Sequence, residues 1–196
     1  MNAALRLCCL TLYAVGPLVS LLALLRRARG PAKARRRTEG WRWHVPTILL
    51  PIEWLLPPAL IGLGIGEVEA DWLALRLVGL AVGLGGAALL VWASAVLGRF
   101  LVHEAAVFED HALMTSGPYR LVRHPIYSGY LALLLGSGLG ALNVAVLLLW
   151  PISLVGILVQ ARSEERLLAS KFGEAFRRYA GRTGQLVPRL WAAPAE

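Results

Sequence analysis

The sequence predicts an all-α integral membrane protein of about five transmembrane helices, ending in a helical hairpin and a cytoplasmic amphipathic tail. Three observations predict it. Hydrophobic residues make up 57% of the chain and charged residues only 16%, with a mean hydropathy of +0.61. The apolar residues fall in runs suited to crossing about 30 Å of hydrocarbon at about 1.5 Å per residue. The basic residues sit between those runs, as orientation signals do. The net charge of +8 therefore reads as topology. A nucleic-acid partner, which would want a soluble basic face, is not expected.

The first span covers Ala3–Leu25 and carries Pro17. It is too long for the apolar core of a signal peptide and lacks a small-residue cleavage site, so it reads as a retained helix. Its adjacent Cys8 and Cys9 read as packing residues, since neighbours in sequence do not make an ordinary disulfide or a metal site. From Arg26 to His44 come eight basic residues against one acid, Glu39. That density places the loop in the cytoplasm and the N-terminus outside. Lys33 and the arginines suit anionic head groups, and Trp41 and Trp43 suit the interfacial belt.

The second span, about Val45 to Gly66, carries Pro46, Pro51, Pro57 and Pro58, so a broken helix or a re-entrant turn is expected. Glu53 lies in its middle. An acid at that depth is costly unless paired or facing water, which makes it a candidate functional group. An acidic outer loop, Gly66 to Asp71, leads to a third span, about Trp72 to Leu97, rich in Gly and Ala. Small residues of this kind let helices approach closely in lipid.

Residues 98–125 form a second cytoplasmic segment, in which Val107–Met114 fits a strand and turn or an interfacial piece. Two apolar runs follow, Ile126–Leu142 and Val144–Val159, joined through Asn143. They read as a tight hairpin with both open ends in the cytoplasm. The tail from Gln160 places Leu168, Phe172, Ala175, Phe176 and Tyr179 on one helical face, with Gly181 and Gly184 ending the helix. On this topology eighteen of the twenty basic residues are cytoplasmic, all but Arg6 and Arg76. Residues 1–115 then form an N-terminal membrane part and 116–196 a core that carries the chemistry.

Chemistry-bearing residues concentrate in two stretches. The first is Ser116–Gly129, SGPYRLVRHPIYSG, which holds Arg120, Arg123, His124 and Tyr127 where a membrane helix leaves the water. Pro125 suits the first position of that helix. Interfacial Arg and Tyr are common belt residues, but so dense a group is not. The second stretch is Ser163-Glu164-Glu165-Arg166. Adjacent acids on a helix point about 100° apart, so one would take a hydroxyl or an amine while the other pairs with an arginine. The plainer reading is a solvated face with i,i+4 pairs such as Glu174–Arg178. The hairpin brings both stretches to one membrane face. Convergent polar groups beside apolar walls suit a polar cofactor and a lipid-like substrate.

GPYRLVRHPIYSGY, then LLLGSGL, then ARSEERLLASKFGEAFRRYAGRTGQLVPRL resemble the C-terminal signature of the isoprenylcysteine carboxyl methyltransferase family and its phospholipid methyltransferase relatives. The resemblance covers about residues 116–191. It implies a membrane-embedded enzyme that uses S-adenosylmethionine without a Rossmann domain, and no dinucleotide fingerprint follows a predicted strand here. By similarity, His124, Pro125, Tyr127 and Gly129 help form the cofactor site, Glu164 and Glu165 complete it, and Gly136 and Gly138 let the cofactor approach the helix. No metal is implied. The implied acceptor is lipophilic, with the carboxylate of an isoprenylcysteine-like substrate preferred. An ionised carboxylate needs no general base, only positioning and an arginine to orient it bidentately. Arg120, Arg123 and Arg162 are the candidates, with Arg123 preferred. A phospholipid amine is the alternative and would need a base, for which Glu53, His103 or His124 is available. A sterol-reductase-like oxidoreductase using NADPH is an alternative of another class, but its pattern resembles RHxNY with RDExxC, from which this chain departs at Pro125 and at Glu164-Glu165.

Overall fold

The computed structural model describes residues 3–19, 21, 34–37, 44–98, 106–108 and 113–189. Lys33, Trp41, Trp43 and His103 lie outside the described residues. Among those described, the chain runs α1 (Ala3–Leu12), β1 (Ala34–Arg37), α2 (His44–Leu63), α3 (Leu73–Leu97), β2 (Ala106–Phe108), α4 (Pro125–Ala141), α5 (Val144–Phe172) and α6 (Glu174–Arg182). Two helices, α3 and α5, are long and apolar enough by themselves to cross a membrane.

Among the described residues, the fold is helical except for one antiparallel strand pair, in which β1 meets β2 with Ala34 opposite Phe108 and Arg37 opposite Ala106. The basic loop and the segment before α4 thus meet at one end of the molecule. α2 is continuous from His44 to Leu63, where the prolines led us to expect a break. Pro46 falls in the first turn, whose N–H groups have no intrahelical partner in any case. Neighbouring helices let a membrane helix tolerate the later prolines, and Pro57 is fully buried against them. Gly16 leaves room for the Trp54 ring, which a Cβ would approach to 2.3 Å. Trp54 then packs on Tyr13 and Tyr130, with ring centroids 6.3 and 5.5 Å away.

α3 and α4 pack backbone to backbone. A Cβ on Gly79 would lie 2.3 Å from the Gly140 nitrogen, one on Gly86 2.5 Å from the Leu133 nitrogen, and one on Gly136 2.2 Å from the Gly83 nitrogen. Such proximity brings many dispersion contacts and leaves no space for side chains.

The hairpin turns as its residues suggest. α4 begins at Pro125 and ends at Leu142, which takes a left-handed conformation with φ 48°. Asn143 caps α5, its Oδ1 accepting from the Val146 N–H at 3.0 Å. α5 holds 29 residues, about 44 Å of helix, so it outruns the hydrocarbon and carries Glu164 and Glu165 beyond it. The amphipathic face expected to run unbroken to Tyr179 is interrupted at Gly173, whose φ of 52° and ψ of −122° form a backbone conformation that glycine adopts readily and other residues do not. Beyond it, α6 buries Phe176. Its exposed ion pair joins Glu174 to Arg177, one residue short of the expected Arg178.

Candidate active site

His124 is the N-cap of α4 and is followed by Pro125 at the first helical position. One turn on, Tyr127 stacks under it, with ring centroids 5.5 Å apart and planes 15° from parallel. Glu164 and Glu165 face this pair from α5. The two acids divide their partners. Glu165 Oε1 accepts from Arg123 Nε at 2.8 Å, from His124 Nε2 at 3.1 Å and from Gln185 Nε2 at 3.1 Å. Glu164 Oε1 accepts from the Tyr127 hydroxyl and from Gln160 Nε2 at 3.1 Å. His124 Nδ1 lies 3.5 Å from Glu164 Oε2, so the imidazole bridges both carboxylates. One acid pairs with an arginine and the other takes a hydroxyl, as the 100° separation requires.

The imidazole side chain is only 6% exposed. Burial pulls its pKa down, but hydrogen bonds and charge from Glu164 and Glu165 outweigh that and raise it to about 9. At neutral pH the cluster therefore holds two cations, Arg123 and His124, against two carboxylates.

Arg123 is heavily engaged. Besides Glu165, its Nη1 donates to the Ala180 carbonyl at 3.0 Å and to the Thr183 carbonyl, groups at the C-terminal end of α6 that a cation suits. Arg120 and Arg162 are exposed. The glycines named from the sequence lie at helix contacts. The missing Cβ of Gly129 faces the Gly86 carbonyl and Leu90, that of Gly136 faces Gly83, and that of Gly138 faces Leu147 and Val146. Glu53 is half-buried on α2, and its carbonyl accepts from the Tyr130 hydroxyl at 3.3 Å. Its carboxylate is near enough to act electrostatically on Tyr127 and Tyr130.

Sequence reasoning missed two amides. Gln160 was legible, four residues before Glu164 on one helix. Gln185 was not, because it reaches Glu165 only when the chain after α6 folds back. No group of three His, Cys, Asp or Glu is placed to hold a metal among the described residues.

The phospholipid methyltransferase family matches residues 75–175, from the start of α3 to the beginning of α6. The chain belongs to this family. Its members are S-adenosylmethionine-dependent methyltransferases. The chain is 41% identical over 85 residues to the cobalt-zinc-cadmium resistance protein CzcN of Cupriavidus metallidurans, covering 42% of this chain and 38% of that protein. It is 30% identical over 132 residues to a probable protein-S-isoprenylcysteine O-methyltransferase of Oryza sativa subsp. indica, covering 62% and 65%. The fold is similar to that of the eukaryotic intramembrane Ras methyltransferase ICMT (isoprenylcysteine carboxyl methyltransferase), with a TM-score of 0.53 and 22% identity over 77% of this chain and 53% of that one. The chain thus spans less than two thirds of each of these proteins. The cluster also fits the family's cofactor, because Glu165 Oε2 has no partner among the described residues and an ionised oxygen suits a cation.

Proposed function

We propose that this chain methylates a lipophilic acceptor inside the membrane, with the carboxylate of an isoprenylcysteine-like substrate as the preferred target. The reading rests on one observation above all: His124 and Tyr127 from α4 meet Glu164 and Glu165 from α5 in a cluster with carboxylate oxygens to spare. When bound, S-adenosylmethionine supplies a methyl group on a cationic sulfur. Glu164 and Glu165 would hold the α-ammonium of its amino-acid end, with His124 and Tyr127 fixing the two carboxylates. Pro125 sets the start of α4 and so the position of His124. Gly129, Gly136 and Gly138 serve by letting α4 pack against α3 and α5.

An ionised carboxylate acceptor needs no proton removed, so the protein's work is orientation and the exclusion of water. Arg123 cannot offer such an acceptor the bidentate fork expected of it. Its Nε and Nη1 are taken by Glu165 and the end of α6, which leaves Nη2 for a single bond. Its main role in this reading is to place Glu165. The apolar faces of five spans, the first over residues 3–25 and the others built on α2 to α5, with the N-terminus outside, would surround the acceptor's tail, and the cofactor site would open to the cytoplasm.

Glu53 supports a second reading. A half-buried acid close to Tyr127 and Tyr130 would serve as a general base for an acceptor that carries a proton, such as a phospholipid amine. Methyl transfer to a farnesyl-cysteine analogue and to phosphatidylethanolamine, measured side by side in vesicles, separates the two. Activity on the farnesyl compound that survives Glu53→Gln is expected. Activity on the amine lipid alone, abolished by Glu53→Gln, overturns the carboxylate reading.

A further inference from the structure

The chain after α6 doubles back over the start of α4. The Arg123 N–H donates to the Gly184 carbonyl at 2.8 Å and the His124 N–H to the Gln185 carbonyl at 3.1 Å. Val122 and Gly184 form a parallel bridge. The Ser128 hydroxyl donates to the Leu186 carbonyl at 2.6 Å, and Arg189 to the Gly181 carbonyl. Thr183 is buried beneath. At Gly184 the turn is too tight for a side chain, since a Cβ would lie 1.8 Å from the Val187 carbonyl oxygen. This strap is held by backbone bonds and carries one polar side chain into the cluster, that of Gln185.

Its amide nitrogen is the third donor on Glu165 Oε1. An ionised carboxylate offers about four acceptor positions, two on each oxygen. Three donors crowd Oε1, one more than its two positions, and leave both positions of Oε2 open. The chemistry of the third donor matters too. Two cations already face two carboxylates here, and a third would repel a positively charged ligand. An amide orients the carboxylate without adding charge. Gln160 does the same for Glu164, but from within α5, where helix geometry delivers it regardless of the tail.

We propose that Gln185 is a positioning residue, delivered by the strap, that turns Glu165 so that Oε2 faces the cationic end of the cofactor. The cofactor site is then complete only when the segment after α6 is folded against α4. This rests on the reading that the cluster binds S-adenosylmethionine.

The test is calorimetric binding of S-adenosylhomocysteine to the full chain in detergent between pH 5.5 and 8, with Gln185→Leu and Gln185→Glu beside the native protein. Gln185 contacts Glu165, and the charged or titratable groups around that carboxylate are Arg123 and His124 at the start of α4, Glu164 across the His124 ring, and Tyr179 on α6. His124 keeps its proton across this range, so native affinity is expected to be flat. Gln185→Leu loses one hydrogen bond to a charged group and weakens binding about tenfold at every pH. Gln185→Glu places a second carboxylate against Glu165 and binds more weakly still at pH 8. Its affinity recovers in part as pH falls towards 5.5, because crowding against Glu165 favours the protonated carboxyl, which donates as the amide does. A merely structural role would not produce that recovery, and an unchanged melting temperature in both variants excludes misfolding. Native affinity in both variants, or an equal loss at both pH values in Gln185→Glu, overturns the proposal while leaving the cofactor reading intact. A native protein that binds no S-adenosylhomocysteine overturns both.

Discussion

The two ends of the α4–α5 hairpin are both polar, and they spend their polarity differently. At the closed end, Asn143 caps α5 through Oδ1 and donates from Nδ2 to the Ile65 carbonyl at 3.0 Å. The buried Arg76 reaches the carbonyls of Gly140 and Ala70, both at 3.3 Å. The neighbouring loop adds backbone bonds, from the Val144 N–H to the Gly66 carbonyl and from the Val68 N–H to the Leu142 carbonyl. There, side chains satisfy main-chain groups that a membrane protein cannot leave unpaired. At the open end, Arg123 and Ser128 also reach main-chain carbonyls, but the two carboxylates bond to side chains and keep acceptor capacity. Backbone-directed polarity builds a fold, whereas side-chain polarity with spare capacity waits for a ligand.

The sharpest test of that contrast is one substitution at each end. Glu165→Gln removes the charge that Arg123, His124 and the cofactor would share. Binding of S-adenosylhomocysteine is expected to fall roughly a hundredfold, as for loss of a charge-assisted contact, with a much smaller change in melting temperature. Asn143→Ala should do the reverse. It removes a helix cap worth about 1 kcal/mol and strands the Ile65 carbonyl, for about 2–4 kcal/mol in all. The melting temperature should drop by several degrees while affinity per folded molecule is kept. If Asn143→Ala abolishes binding at a temperature where the protein stays folded, the two ends are not independent.

Titration breaks the comparison in a second way. His124 gains its carboxylate partners on folding, so its folded pKa of about 9 lies above the unfolded value of about 6.5. The stabilisation is full below about pH 6.5 and is lost as pH rises through about 9. Melting temperature should therefore decline across that window. In Glu165→Gln, with one carboxylate neutralised, the decline should be smaller and should end at lower pH. In Asn143→Ala it should stay in place from a lower starting value. A native melting temperature flat from pH 6 to 10 would show that the imidazole is not held by the two acids.

The same division explains how much was legible in the sequence. Pro125 and Asn143 carry their structural meaning locally, so the start of α4 and the turn into α5 could be read directly. His124 and Glu164-Glu165 lie far apart in sequence, but a hairpin of two similar apolar runs must return them to one end, so their meeting was legible too. What escaped depends on partners that no local pattern names. Prolines 46, 51, 57 and 58 read as breaks because the packing that tolerates them comes from other helices. Gly136 fits close approach by a ligand or by a helix equally well, and only the position of Gly83 distinguishes them. Arg123 looked available because the Ala180 and Thr183 carbonyls reach it through a reversal at Gly184.

The smallest expected effect is also the most discriminating for the open end. Tyr127→Phe deletes the hydroxyl that donates to Glu164 Oε1 but keeps the ring stacked under His124. Gln160 still donates to the same oxygen, and His124 Nδ1 still faces the other. Loss of one of several donors should weaken S-adenosylhomocysteine binding about fivefold, near 1 kcal/mol. Gln160→Leu alone should do about the same. The double variant should lose more than the sum, because Glu164 Oε1 is then left without a donor and is free to turn away. A double-mutant cycle measures that excess directly. Strict additivity would mean that Tyr127 and Gln160 do not act through Glu164. A Tyr127→Phe loss as large as that of Glu165→Gln would mean that the hydroxyl meets the cofactor itself, and Tyr127 would then pass from positioning a carboxylate to binding the ligand.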